Sequence, residues 1–258
     1  MHQLLIKGNP ICRVSGILFD KDGTLINSEN RLLALARSRK ELAKKIFQRE
    51  ECTAADLTRL NYLLSKAYGL RKSSIDPNGP MAIASKKDNL ISTATIFCLL
   101  GKSWSKSLEM ANEIFEQASR QSLNSKINNI REELLPGIVN LVKKSKKREL
   151  KLAIISNDSR AGIESFLINN KLGKQFPFFW SSEDNPPKPS PIAIKKLCKL
   201  MNSRVSECAL IGDSDTDLKM AKAAGVAVAI GYTAGWEKPP LLSEHHHLIN
   251  HWNELSFK

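Results

Sequence analysis

Residues 14–25 read VSGILFDKDGTL, an apolar run that stops abruptly at two aspartates and a glycine. A short apolar run without strict alternation is typical of a strand that is buried on both faces of a sheet. The same pattern recurs at residues 151–156 (KLAIIS), 207–212 (ECALIG) and 225–231 (GVAVAIG). These stretches predict the central strands of a parallel sheet.

Helical patterns separate the predicted strands. Apolar residues recur at helical spacing in residues 138–148, 160–170, 191–201 and 215–224, and Pro191 occupies the first turn of the third pattern. Strands that alternate with helices form a parallel sheet with helices on both faces. The predicted fold class is therefore α/β, with a doubly wound, Rossmann-like sheet.

The stretch from residue 28 to residue 133 has a different character. It shows no strand pattern, and its amphipathic segments at residues 31–50, 53–67, 89–100 and 105–121 are typical of helices. We therefore predict an all-helical subdomain at residues 28–133, inserted into a core made of residues 1–27 and 134–258.

The composition and net charge of the chain indicate which partners and which cellular compartment to expect. The 258 residues carry a net charge of +13, but the basic residues are spread along the chain, which favours attraction of an anionic substrate over nucleic-acid binding. No apolar run is as long as the roughly 18 residues that a membrane-spanning helix needs. The N-terminus lacks the pattern of a secretory signal. The five scattered cysteines are typical of reduced thiols. We therefore expect a cytoplasmic protein, without a membrane or nucleic-acid partner.

Polar side chains follow the predicted strands, at the sheet edge where ligands bind in open α/β folds. Asp20 and Asp22 follow the first strand: one carboxylate can attack phosphorus, and the other can exchange a proton with the leaving oxygen. Ser156 and Asn157 follow the second and can hold a phosphoryl oxygen. Taken alone, the aspartates could instead form a turn, and the serine could cap a helix.

Two further segments add charge to the same edge. Lys188 lies in PPKPSP, where flanking prolines can pre-position its ammonium group against a phosphoryl group, although a solvated loop lysine would also fit this pattern. Asp213 and Asp217 lie in GDSDTD, whose hard oxygen ligands suit Mg²⁺. A calcium-binding EF-hand loop is excluded, because its required glycine and final glutamate are absent.

The motifs FDKDGTL, ISND, PPKPSP and GDSDTDLKMAKAAG, in this order, resemble the haloacid dehalogenase-like hydrolase superfamily. The resemblance covers residues 14–27 and 134–258. It implies that Asp20 is a nucleophile that forms an aspartyl-phosphate, and that Asp22 is the acid and base. It also implies that the backbone carbonyl of Asp22 binds Mg²⁺, together with Asp20 and Asp213.

The resemblance implies further roles. Ser156, Asn157, Lys188 and Thr24 would bind the phosphate, Asp217 would support the metal site, and the helical subdomain would be the inserted cap. The first motif and the cap are similar to those of phosphoglycolate phosphatases, which implies hydrolysis of a small phosphorylated metabolite by a monomer or homodimer.

Other functions remain open at this point. A sugar phosphomutase keeps both aspartates, and a non-catalytic binding protein could keep the fold. Trp104, Trp180 and Trp236 are interpreted as packing residues.

Overall fold

The computed structural model describes residues 1–124 and 133–258. Their strands and helices, numbered in chain order, are β1 (His2–Ile6), β2 (Asn9–Val14), β3 (Gly16–Phe19), α1 (Glu29–Phe47), α2 (Ala54–Ala67), α3 (Pro80–Ile83), α4 (Lys86–Leu99), α5 (Trp104–Asn124), α6 (Ile138–Lys147), β4 (Lys151–Ile155), α7 (Arg160–Asn169), β5 (Phe178–Trp180), α8 (Pro191–Leu200), β6 (Cys208–Gly212), α9 (Asp215–Ala224), β7 (Val228–Tyr232), β8 (His247–Ile249) and β9 (Leu255–Phe257). Short 3₁₀ turns precede β6 and β9.

The main sheet is parallel, which confirms the predicted fold class. Six of the described strands form it, in the order β5-β4-β3-β6-β7-β8. The chain moves outward from β3 through β4 to β5, then returns to β6 on the other side of β3. The direction of winding therefore reverses between β3 and β6, and such a switch point opens a crevice at the carboxyl ends of the strands.

Successive side chains of β3 lie on opposite faces of this sheet. Ile17 and Phe19 lie in a hydrophobic cluster that includes residues of α6 and α7, whereas Leu18 lies in a second cluster with residues of α8 and α9. All three side chains are fully buried. The sheet is therefore covered by helices on both faces, as the continuous apolar run predicts.

A second sheet was not predicted. Strands β1, β2 and β9 form a three-stranded antiparallel sheet, in which His2 pairs with Val14 and Leu4 with Phe257. Val14 thus belongs to the β1–β2 hairpin, and the parallel strand begins at Gly16 instead of residue 14. Strand β5 was missed as well, because three residues are too few to show a pattern.

The contacts between Cα atoms divide the chain into two compact units. The sheet unit contains Met1–Asn27 and Glu133–Lys258, and the helical unit contains Ser28–Glu132. Residues 125–132 of the predicted helical subdomain lie outside the described residues. None of the helices in the described part of the chain is long and apolar enough to cross a bilayer.

Two helices of the helical unit, α2 and α4, begin at recognisable capping signals. Thr53 and Ser85 each form a capping box with the aspartate three positions on, Asp56 or Asp88. The hydroxyl accepts a hydrogen bond from the backbone N–H of the aspartate, and the aspartate side chain accepts one from the backbone N–H of the cap residue. Inside the unit, the rings of Phe47 and Phe97 stack with centroids 5.8 Å apart. Local capping therefore supports α2 and α4, and this contact belongs to the apolar interior that α1 and α4 share.

Candidate active site

The polar residues predicted at the sheet edge come together around the switch point. Asp20 follows β3, and its amide donates to the carbonyl of Ile211 at 2.9 Å, which fixes it beside the end of β6. Asp213 follows β6 directly, and Ser156 follows β4. Lys188 comes from the connection between β5 and α8. Four separate segments therefore supply one site.

Lys188 joins two carboxylates in the interior. Its ammonium lies 2.6 Å from Asp20 Oδ1 and 2.5 Å from Asp217 Oδ1, and it donates to the carbonyl of Ile155 at 3.3 Å. The side chains of Lys188, Asp20 and Asp217 are 4–9% exposed. Burial alone would lower the pKa of Lys188, but the two carboxylates outweigh it and hold that pKa above its ordinary value. Lys188 is therefore a fixed cation beside Asp20.

Asp213 is held by two donors. Thr24 Oγ1 donates to its Oδ1 at 3.0 Å, and Trp236 Nε1 donates to its Oδ2 at 2.6 Å. Gly23, at φ +77°, makes this arrangement possible, because a Cβ there would lie 2.3 Å from both Asp213 Oδ2 and Trp236 Nε1. Thr24 is a residue predicted to bind phosphate, and in this structure its hydroxyl donates its proton to Asp213 instead.

Asp20, Asp213 and Asp217 form a buried carboxylate group. One oxygen of each lies within 4.8 Å of the others, and such a set could hold a metal ion. Burial, partly offset by Lys188, raises the pKa of Asp20 to about 6. Burial and the two neighbouring carboxylates raise the pKa of Asp213 well above its ordinary value. Three buried carboxylates against one lysine leave excess negative charge, which suits a divalent cation.

The loop after β4 presents Ser156 and Asn157 at the same edge. Ser156 is 1% exposed, and its Oγ accepts from the amide of Asp158 at 3.1 Å. It does not cap the following helix, because Ser159 is the N-cap of α7 and accepts from Gly162 N. Asn157 is half-buried in the same loop. The alternative of a helix cap at Ser156 is thereby removed.

Asp22 is not one of the three carboxylates that lie within 4.8 Å of one another, although its charge contributes to the raised pKa of Asp20. Its side chain is 17% exposed, and Lys21 Nζ lies 3.0 Å from its Oδ1 and 2.9 Å from its Oδ2. The predicted metal contact of Asp22 involves its backbone carbonyl, and this contact stays a prediction. Lys21 itself is 1% exposed, although the sequence suggested no role for it.

Two of the three tryptophans interpreted as packing residues are buried. Trp180 is buried and donates to the carbonyl of Pro186 at 2.8 Å. Trp104 is wrongly assigned, because at the first position of α5 it is 48% exposed. Trp236 is buried as expected, but it also belongs to the site through Asp213. Its hydrogen bond spans 23 residues, so no local pattern could have revealed it.

Comparison with known proteins gives a family. Residues 14–225 match the family model described as haloacid dehalogenase-like hydrolase. A phosphoglycolate phosphatase from Pseudomonas syringae pv. syringae is 30% identical over 133 residues, which cover 51% of this chain and 47% of that protein. The match spans less than half of the length of the first curated relatives: 47% of that protein and 39% of a phosphoglycolate phosphatase from Pseudomonas aeruginosa.

Solved structures are similar in fold. One, described as a predicted phosphoglycolate phosphatase from Haemophilus somnus 129PT, has a TM-score of 0.63 at 18% identity and covers 94% of this chain and 96% of its own. Another, described as a β-phosphoglucomutase from Thermotoga maritima, has a TM-score of 0.55 at 14% identity and covers 93% of this chain and 96% of its own. At these identities the likeness concerns the fold alone.

Proposed function

Because the chain belongs to the haloacid dehalogenase-like hydrolase family, we propose that it is a phosphatase that hydrolyses a small phosphate monoester through Asp20. One observation carries the proposal. The Asp20 carboxylate is buried at the switch point of the sheet, 2.6 Å from the ammonium of Lys188 and beside two further carboxylates. A nucleophile, a fixed cation and ligands for a metal thus share one site.

In the first step, a carboxylate oxygen of Asp20 attacks phosphorus. The bond between phosphorus and the ester oxygen breaks, its electrons stay on that oxygen, and the carboxyl group of Asp22 gives it a proton, so that an alcohol leaves. In the second step, water attacks the same phosphorus and Asp22 takes a proton from the water. The bond to Asp20 breaks, inorganic phosphate leaves, and both aspartates return to their starting states.

Lys188 and the loop after β4 are assigned to the phosphoryl oxygens. The Lys188 ammonium is held between Asp20 and Asp217, so it can neutralise charge on the phosphoryl group without moving far. Ser156, Asn157 and Thr24 are the further phosphate-binding residues of the proposal. Thr24 also positions Asp213, to which it donates its hydroxyl.

The cofactor that we propose is Mg²⁺. Asp20 and Asp213 would hold it, with the backbone carbonyl of Asp22, and Asp217 would support the site. The raised pKa of Asp20, to about 6, and the raised pKa of Asp213 support this assignment, because a divalent cation relieves the repulsion that contributes to both shifts. When bound, Mg²⁺ supplies positive charge that screens an anionic nucleophile from an anionic phosphate.

Phosphoglycolate is the candidate substrate, because the similar curated proteins are named phosphoglycolate phosphatases. The net charge of +13 also favours an anionic small molecule. We assign the helical unit, Ser28–Glu132, the role of the inserted cap, and we place the protein in the cytoplasm as a monomer or homodimer.

A sugar phosphomutase is the second candidate. It is favoured by the presence of both aspartates, and the structure described as a β-phosphoglucomutase shows that this fold is shared. The two reactions share the first step and differ in the acceptor of the phosphoryl group, which is water in one and a sugar hydroxyl in the other. Release of inorganic phosphate therefore separates them.

The test is phosphate release from 4-nitrophenyl phosphate, with and without Mg²⁺, followed by a panel of small phosphate esters that includes phosphoglycolate. We expect Mg²⁺-dependent release, and a loss of about a thousandfold or more in Asp20→Asn. Asp215→Asn is the matched control, because Asp215 lies in the same acidic segment but accepts from Ser243 and Glu244 instead. No release from any ester by the folded wild type would refute the proposal.

A further inference from the structure

Lys21 lies between the two aspartates of the first motif, and no step proposed above uses it. Its side chain is 1% exposed. Burial of an ammonium group is costly unless carboxylates or hydrogen bonds compensate for it. A neutral side chain would fill the same space without this cost, so the charge itself requires an explanation.

The ammonium of Lys21 contacts two carboxylates. It lies 3.0 Å from Asp22 Oδ1 and 2.9 Å from Asp22 Oδ2, and 3.0 Å from Asp158 Oδ2. Contact with both oxygens of Asp22 restrains the rotation of that carboxyl group as well as its position. Lys21 therefore links the first motif to the loop that carries Ser156 and Asn157.

Asp158 is in turn anchored to its own loop. Its Oδ1 accepts from the amide of Ser159 at 2.8 Å, its amide donates to Ser156 Oγ at 3.1 Å, and its carbonyl accepts from Ser182 N at 2.9 Å. Gly162 leaves the space for its carboxylate, since a Cβ at that position would lie 2.4–2.6 Å from the carboxylate atoms of Asp158. The far end of the link is thus held by hydrogen bonds to its own loop and to Ser182.

Each aspartate of the first motif therefore has its own buried lysine. Lys188 lies between Asp20 and Asp217, and Lys21 lies between Asp22 and Asp158. We propose that Asp158 and Lys21 form a positioning pair, which holds the carboxyl group of Asp22 in the orientation from which it exchanges a proton with the ester oxygen. The inference rests on the proposed function. Lys21 acts through Asp22 and is a positioning residue.

The dependence of the rate on the leaving group provides the test. An alkyl phosphate needs a proton on its departing oxygen, whereas 4-nitrophenolate leaves without one. In Lys21→Met, kcat/KM should therefore fall about tenfold more for an alkyl phosphate than for 4-nitrophenyl phosphate. Asp22→Asn should show the same preference, and adding Lys21→Met to Asp22→Asn should not increase it further. A role in folding alone would lower both rates by the same factor.

Two further variants keep the test valid if Lys21→Met does not fold. Asp158→Asn removes the charge that anchors Lys21, and Gly162→Ala displaces the same carboxylate without removing any charge. Both should show the preference for 4-nitrophenyl phosphate. Lys196→Met is the control for loss of a lysine, because Lys196 is exposed and donates to the carbonyl of Asn185.

The outcomes separate this inference from the proposed function. Equal loss on both substrates in a folded variant, or a further increase of the preference in the double variant, would overturn the positioning pair alone. A folded wild type that releases phosphate from neither ester would refute the proposed function and the inference with it. An altered preference in Lys21→Met, Asp158→Asn and Gly162→Ala, but not in Lys196→Met, would support the pair.

Discussion

The sheet unit and the helical unit each bury a cation, and they compensate for it differently. Lys188 of the sheet unit is 7% exposed and contacts two carboxylates. Arg39 of the helical unit is 6% exposed, and its buried Nε has no hydrogen-bond partner among the described residues. Its guanidinium lies 3.9 Å from the centroid of the Phe115 ring, and its Nη1 lies 3.5 Å from Met81 Sδ.

The pKa values reflect this contrast. Carboxylates hold the pKa of Lys188 above its ordinary value, whereas burial lowers the pKa of Arg39 to about 10. The comparison teaches that depth of burial does not reveal what a charge does in this protein. A cation paired with carboxylates around a site differs from one packed against an aromatic ring, and we expect their replacement to have different consequences.

The largest effect is expected from Lys188→Met, which leaves Asp20 and Asp217 buried without their cation. The free energy of unfolding should fall by about 3–5 kcal/mol, because removal of the lysine leaves the carboxylate charge buried and uncompensated. The turnover of phosphate esters should fall at least about a hundredfold. Urea unfolding and steady-state kinetics measure the two losses, with Lys196→Met as the control. Stability equal to that of the wild type would show that the pairing of Lys188 contributes nothing.

An intermediate effect is expected from Asp184→Asn. Burial alone would raise the pKa of Asp184, but hydrogen bonds from Ser181 and the ion pair with Arg160, at 2.7 Å, outweigh it and hold that pKa below its ordinary value. At pH 7 the substitution should cost about 1–2 kcal/mol.

The cost of Asp184→Asn should depend on pH. A lowered pKa in the folded state contributes stability above the pKa of the unfolded state, about 4, and that contribution is lost as the pH falls through the folded value. Urea titrations at pH 7 and near the acid limit of folding should therefore show the difference between wild type and variant shrinking at low pH. A difference that stays constant would contradict the assignment.

The smallest effect is expected from Arg39→Met. The loss of the contact with Phe115 is offset by the removal of a buried charge, so unfolding free energy should fall by no more than about 1 kcal/mol. Thermal unfolding of Arg39→Met beside Lys188→Met gives the direct comparison. A loss for Arg39→Met as large as that for Lys188→Met would break the distinction between the two cations.

The elements with strong local signals could be predicted from the sequence. The predicted helix at residues 215–224 coincides with α9, and the strand predicted at residues 151–156 contains β4. The β1–β2 hairpin could not be predicted with the same ease. Its turn is formed by Lys7 and Gly8, both at positive φ. Asn-Gly at these two positions would have predicted a hairpin turn, whereas lysine at the first position is not a turn signal. Strand β9 pairs with β1 from the other end of the chain and has no local signal.

The candidate site shows the same division. The motifs placed Asp20, Lys188, Asp213 and Asp217 at one sheet edge, because residues at the carboxyl ends of parallel strands must meet there. They could not indicate what holds these side chains. The contact of Trp236 with Asp213 and that of Lys21 with Asp158 join distant segments, so they depend on tertiary structure.

The central claim is that Asp20 accepts the phosphoryl group. The most direct test is to quench a reaction in turnover with acid, reduce the protein with borohydride, which converts a phosphorylated aspartate to homoserine, and map the peptides by mass spectrometry. The account predicts homoserine at position 20 in the wild type, and none at that position in Asp20→Asn. Turnover that leaves Asp20 unmodified, or that modifies a different aspartate, would contradict it.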